Sequence, residues 1–256
     1  MSTSQHLEVL RASVTRLQAI VEGFDAEHLR RRAYPSEWTV ADVLSHLGSA
    51  AVILLARLEA GLGGPEFTDE MGPPVWDEWN AKSPDAKVAD SLVADRALLD
   101  RFDEVIDAAA GAQFTLGPLT VDLEGFIDLR LNEHVLHTWD VEVVIDPNAT
   151  VPASAAAVVI DNLDLMVRFT GKPTGTVREL HVRTFDPARD FMLSLGEDAI
   201  GFGPYESNVA NPVGADVELS ADAFIRLVYG RFDAAHATPV RTDVDLDELR
   251  RVFPGP

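Results

Sequence analysis

The chain has 256 residues, 46% of them hydrophobic, and carries 21 Lys and Arg against 42 Asp and Glu, a net charge of −21. That length supports one large domain or two modest ones with real cores, while the charge gives an acidic solvated surface that repels phosphate backbones and anionic bilayers, so neither nucleic acid nor membrane is expected as a partner. Cysteine is absent, which excludes disulfides, thiolate metal ligands and a protein-borne sulfur nucleophile; any thiol chemistry needs a thiol supplied by a ligand.

The start, Met1 to His6, has neither the basic nor the apolar region of a signal peptide. No run of about 18 apolar residues follows, so the chain reads as cytoplasmic. From about Ser4 to Phe24, Leu7, Leu10, Val14, Leu17 and Val21 recur at three- and four-residue steps, which predicts a first amphipathic helix. Pro35 to Val43 reads as a turn and a helix start, with Thr39 as N-cap, Asp42 at the third position, and Trp38 and Val43 placed as a hydrophobic staple. This helix should run to about Glu59 and stop at Gly61, with His46 in its buried face beside Val43 and Leu47. A lone histidine on an apolar face is usually a core residue with one hydrogen bond, so His46 alone decides nothing.

Gly61 to Pro74 is a loop, and Val75 to Trp79 a short helix or lid whose Trp76 and Trp79 read as packing over the end of a bundle. Pro84 to Ala110 has helical apolar spacing, closed by Gly111. A fourth long helix is expected from about Val121 to Ile145. At about 100° per residue, Arg130, Glu133, His137 and Asp140 fall on one stripe of it. A carboxylate and an imidazole four residues apart converge within one turn, as two ligands of a divalent metal must. Taken alone, the pair also reads as a surface contact; His46, on a helix of the same bundle, supplies a third donor.

Pro152 to Phe169 is apolar and helical, Gly171 to Gly175 reads as a linker, and beyond it the period changes. Val177–Thr184, Phe191–Leu195 and Val213–Leu219 read as strands, Ser220–Tyr229 as a capped helix ending at Gly230, and Asp245–Phe253 as a last short helix. We therefore expect an α+β protein with a helical domain at 1–172 and a small α+β domain at 173–256. His181 and His236 read as ordinary residues. Arg231, after the helix-ending Gly230, is either a cation at a helix C-terminus or a bidentate clamp for a substrate carboxylate.

Two motifs, Trp38-Thr-Val-x-Asp42-x-x-x-His46-Leu and Arg130-x-x-Glu133-x-x-x-His137-x-Trp-Asp140, resemble in order and spacing those of the mycothiol-dependent maleylpyruvate isomerase family, part of the larger DinB-like group. The resemblance is strong over the first 145 residues and weak beyond. It implies a DinB-like four-helix bundle holding zinc, or another divalent metal, through His46, Glu133 and His137, followed by a domain resembling sterol carrier proteins. It also implies mycothiol as cosubstrate: its thiolate adds to an activated double bond, rotation follows, and expulsion gives the isomer. Arg130 and Asp140 would orient the ligands, and His134, three residues before His137, is a possible competitor for Glu133. A mycothiol-dependent isomerase or thiol transferase, a metal-dependent hydrolase, and a non-catalytic metal- or ligand-binding module all remain open. Partners are a small electrophile and a low-molecular-weight thiol.

Overall fold

Helix α1 (Thr3–Val21) opens with a capping box in which Ser2 and Gln5 satisfy each other's backbone N–H groups, and it buries Leu7, Leu10, Val14, Leu17 and Val21 along one face. The computed structural model describes residues 1–109, 111–206 and 214–255, in two compact units, Met1–Ala149 and Thr150–Pro256. In the first unit a short α2 (Ala26–Arg30), capped by Asp25, leads to α3 (Val40–Gly61). The expected box forms here: Thr39 accepts from the Asp42 backbone and Asp42 from that of Thr39. By length and composition α3 is apolar enough to cross a membrane, but its buried residues from Val40 to Leu58 pack in the bundle, as in the core helix of a soluble fold.

Then come α4 (Gly72–Asn80) and α5 (Pro84–Val105), the latter capped by Ser83 and ending at Val105 rather than near Ala110, which lies outside the described residues. A two-stranded hairpin, β1 (Phe114–Leu116) and β2 (Leu119–Val121), precedes α6 (Leu123–Glu142). The hairpin takes the residues expected to begin the fourth helix, and Asp122 caps α6 by accepting from the Gly125 N–H.

The four long helices α1, α3, α5 and α6 form the bundle; α6 packs on both α1 and α3, and α5 also packs on α3. Phe126 of α6 meets Phe102 and Phe114 edge-on, with ring centroids 5.8 and 5.3 Å apart. All three rings are completely buried, so removing one would cost about 3–5 kcal/mol. From Arg130 to Val141 every residue of α6 is buried except Glu133, so this central helix has one window. Gly48 of α3 is a point of close approach: a Cβ there would lie 2.2 Å from the Trp79 ring, so only glycine lets α4 pack flush on α3.

The second unit begins with α7 (Ala153–Val159), a 3-10 turn and α8 (Leu163–Thr170), followed by β3 (Arg178–Phe185), β4 (Arg189–Leu195), β5 (Ile200–Pro204), β6 (Val217–Ser220), α9 (Ala221–Val228), β7 (Arg241–Thr242) and α10 (Leu246–Val252). Its sheet has the order β5-β4-β3-β6-β7, with β3 and β6 parallel and every other pairing antiparallel. Of the expected strand at 213–219, Val213 lies outside the described residues; β6 begins at Val217. Gly230, at φ +70°, turns the chain after α9 in a conformation that a side chain would strain.

The fold is therefore α+β, a helical N-terminal region followed by a sheet-containing unit. The compact units meet at residues 149 and 150, ahead of the boundary expected at 172 and 173. The reason is packing: α7 lies against α9, and α8 lies against β5 and α9, so the apolar faces of 153–170 complete the second core.

Candidate metal centre

His46 leaves α3 and Glu133 and His137 leave α6 on facing sides of the bundle, and one donor atom from each lies within 4.8 Å of the other two. His46 Nε2 is 3.1 Å and His137 Nε2 3.5 Å from the same oxygen, Glu133 Oε2. The two imidazoles meet edge-on with centroids 4.6 Å apart, and Trp38 packs on both, at 5.2 Å from His46 and 5.9 Å from His137. His46 is only half-buried, a correction to its expected place in the buried face: the stripe Asp42–His46–Ala50 is the partly open side of α3, while Val43 and Leu47 beside it are fully buried.

The electrostatics follow from this mix of burial and contact. Burial pushes the His46 imidazole below its usual pKa, and the nearby Glu133 recovers only part of that. Burial pushes His137 the same way, but hydrogen bonds to Asp140 and Glu133 outweigh it and leave its pKa raised. For Glu133, burial would raise the pKa, yet His137 and His46 together hold it well below the carboxylate range. Its side chain is still 45% exposed, so water tempers each of these effects.

Asp140, fully buried, accepts from His137 Nδ1 at 2.8 Å. That bond fixes the tautomer with Nδ1 protonated and leaves the Nε2 lone pair for a metal, the usual arrangement of a ligating histidine. Two imidazole nitrogens and a carboxylate oxygen, one histidine already oriented, fit a divalent cation such as zinc with a position left open.

Arg130 departs from the expected role of orienting Glu133. It is buried, paired with the buried Asp95 of α5, and donates from Nη2 to the Leu47 carbonyl at 3.0 Å. His134 stands in the same interior and does not join the cluster. Its Nε2 lies 3.4 Å from Asp95 Oδ2, and its Nδ1 is 2.8 Å from Ser13 Oγ and 3.2 Å from Thr138 Oγ1. Burial holds its pKa down, so it is a neutral ring within that network.

Against these geometries, residues 10–142, more than half of the chain, match the family model of the mycothiol maleylpyruvate isomerase N-terminal domain. The chain belongs to the mycothiol-dependent maleylpyruvate isomerase family. Two crystal structures of the mycothiol-dependent maleylpyruvate isomerase, one of them a histidine-to-alanine mutant, share the fold with a TM-score of 0.66 over 93% of this chain and 95% of theirs, at 15% and 14% identity. No curated protein gives a match.

In this member of the maleylpyruvate isomerase family, sequence reasoning missed a cavity of about 320 Å³ lined by Trp38, Asp42, His46, Ser49, Trp76 and Asn80. Trp76, expected to pack over the bundle end, is 48% exposed and forms one of its walls, whereas Trp79 is buried as expected. Arg231 lies in the second unit, buried, with Nη1 donating to the Tyr229 carbonyl at 2.8 Å. His181 and His236 pair locally, with Asp190 at 2.6 Å and Asp233 at 2.8 Å.

Proposed function

We propose that this chain is a metal-dependent enzyme in which His46, Glu133 and His137 hold a divalent ion, zinc by the character of the donors, and in which a low-molecular-weight thiol, mycothiol, is the nucleophile. The convergence of three ligand atoms in a chain without cysteine carries the reading. When bound, such an ion supplies Lewis acidity at its open position, lowering the pKa of a thiol as it lowers that of water. Asp140 holds His137 in the ligating tautomer. Trp38 covers both imidazoles and keeps water off that side of the site. Glu133, the one accessible residue in the buried run of α6, presents its carboxylate where a ligand can reach.

The reaction class that follows is isomerisation of an activated double bond by thiol addition and expulsion, or transfer of the thiol to an electrophile. The proposal extends to Arg231 as the clamp on a substrate carboxylate, supported by the bidentate chemistry of guanidinium.

Calorimetric titration of zinc-loaded protein with mycothiol at several pH values tests the reading. Binding with proton release is expected, and weaker binding of glutathione, which lacks the sugar moiety. Failure of either thiol to bind, together with metal-dependent hydrolysis of an ester or amide, would replace this reading with that of a hydrolase.

A further inference from the structure

We infer that the cavity beside His46 is the subsite for the uncharged, polyhydroxylated part of the thiol, with Trp76 and Asn80 as its specificity-determining residues. The inference rests on the thiol reading above and adds where and by what chemistry the sugar is held.

The cavity, about 320 Å³, has room for a ring of sugar size, and it shares His46 with the cluster of candidate metal donors. Its walls are of two kinds. Trp38 is fixed by its packing on His46 and His137, so one aromatic wall is part of the site itself. Trp76 is the other, and it is held in place without being buried: α4, which carries it, is anchored by Trp79 lying flush on Gly48, while Trp76 itself stays 48% exposed. A half-exposed indole on an anchored helix offers a flat apolar face at little conformational cost, which suits the C–H face of a sugar ring.

The polar groups between these walls suit hydroxyls. Asn80 Oδ1 is engaged by Ser45 Oγ at 3.2 Å, which leaves its amide N–H groups as donors. Ser49 Oγ gives its proton to the His46 carbonyl at 3.0 Å and so offers acceptor lone pairs. Asp42 is a carboxylate whose pKa, which burial would raise, is held low by Lys87 and Thr39, and Lys87 Nζ sits 2.8 Å from its Oδ1. The carboxylate of the lining is thus already paired with Lys87, so the walls carry little net charge and match a neutral polyol with both donors and acceptors.

The test compares two thiols on zinc-loaded full-length protein by calorimetry: mycothiol, and N-acetylcysteine, which has a thiol and no sugar. Trp76→Ala and Asn80→Ala should each weaken mycothiol by about tenfold, with N-acetylcysteine affinity and zinc content as in wild type. Trp76→Phe, which keeps an aromatic face, should recover most of the loss. Should wild type bind mycothiol while both alanine variants bind it equally well, the subsite is elsewhere and the thiol reading stands. Should both alanine variants weaken the two thiols alike, the residues support the metal site and not the sugar, which also overturns the assignment. If wild type binds neither thiol, the thiol reading itself falls and takes the subsite with it.

Discussion

On α6, Arg130 and His134 face a closed interior, while Glu133 and His137, offset by less than a turn, face an opening. Arg130 and Asp95 are each 1% exposed, and together with His134, Ser13, Thr138 and the Leu47 carbonyl they form one network across α1, α3, α5 and α6, in which Arg130 Nη1 is left without a hydrogen-bond partner among the described residues. In the second cluster the three donors crowd one another with Glu133 half-exposed. Two imidazole nitrogens and a carboxylate oxygen that converge beside an open face are a donor set suited to a divalent cation; an ion pair enclosed in the bundle interior is not. The same residue types, an acid and a histidine, therefore tie helices together in one place and offer ligands in the other.

Substitution in the closed cluster should produce the larger loss of stability. Asp95→Ala leaves Arg130 charged and buried with no counter-ion, and about 3–5 kcal/mol of unfolding free energy should be lost in urea denaturation. The pH dependence follows from the same pair. Burial would raise the Asp95 pKa, but Arg130 and His134 outweigh it and hold it below its ordinary value. The unfolded chain then binds the extra proton first, so the stabilisation from Asp95 is complete above the ordinary carboxylate pKa and disappears as pH falls through the lower folded value. Wild-type urea midpoints should fall with acid through that window, and those of Asp95→Asn should fall less; equal slopes would show that the pair does not behave as a closed unit.

In the open cluster the effect should appear on metal and not on folding. Asp140→Asn replaces the acceptor-only carboxylate that fixes the His137 tautomer with an amide that can also donate to Nδ1, and metal affinity should drop about 10- to 100-fold in competition with a chromogenic chelator. Unchanged affinity would mean that Asp140 serves packing alone.

Much of this contrast was legible in the residues. The i, i+4 step of Glu133 and His137, the capping box that sets the start of α3, and the position of His46 along it all follow from local periodicity, and these are the features that bring the three candidate donors together. What local periodicity lacks is the partner across the bundle. Arg130 lies close to the Glu133–His137 stripe and periodicity groups it there, because Asp95 reads as one more acid on a charged helix until Arg130 of α6 pairs with it. Periodicity sets His46 deeper than it lies for a similar reason: the stripe of α3 that lines the cavity differs from its neighbour in what covers it. Residues 153–170 have the apolar spacing of a bundle helix, and only their packing on α9 and β5 assigns them to the second unit. The short β1–β2 hairpin and the glycine-containing β5 carry too few residues for alternation to register.

Metal content decides between the open and the closed cluster most directly. Protein purified without added metal should carry about one divalent ion per chain, most of it zinc, by elemental analysis. His46→Ala and Glu133→Gln should lose it while keeping wild-type urea midpoints to within about 1 kcal/mol, and His134→Gln should keep the ion while losing stability. Retention of as much metal by His46→Ala and His137→Ala as by wild type would contradict the account.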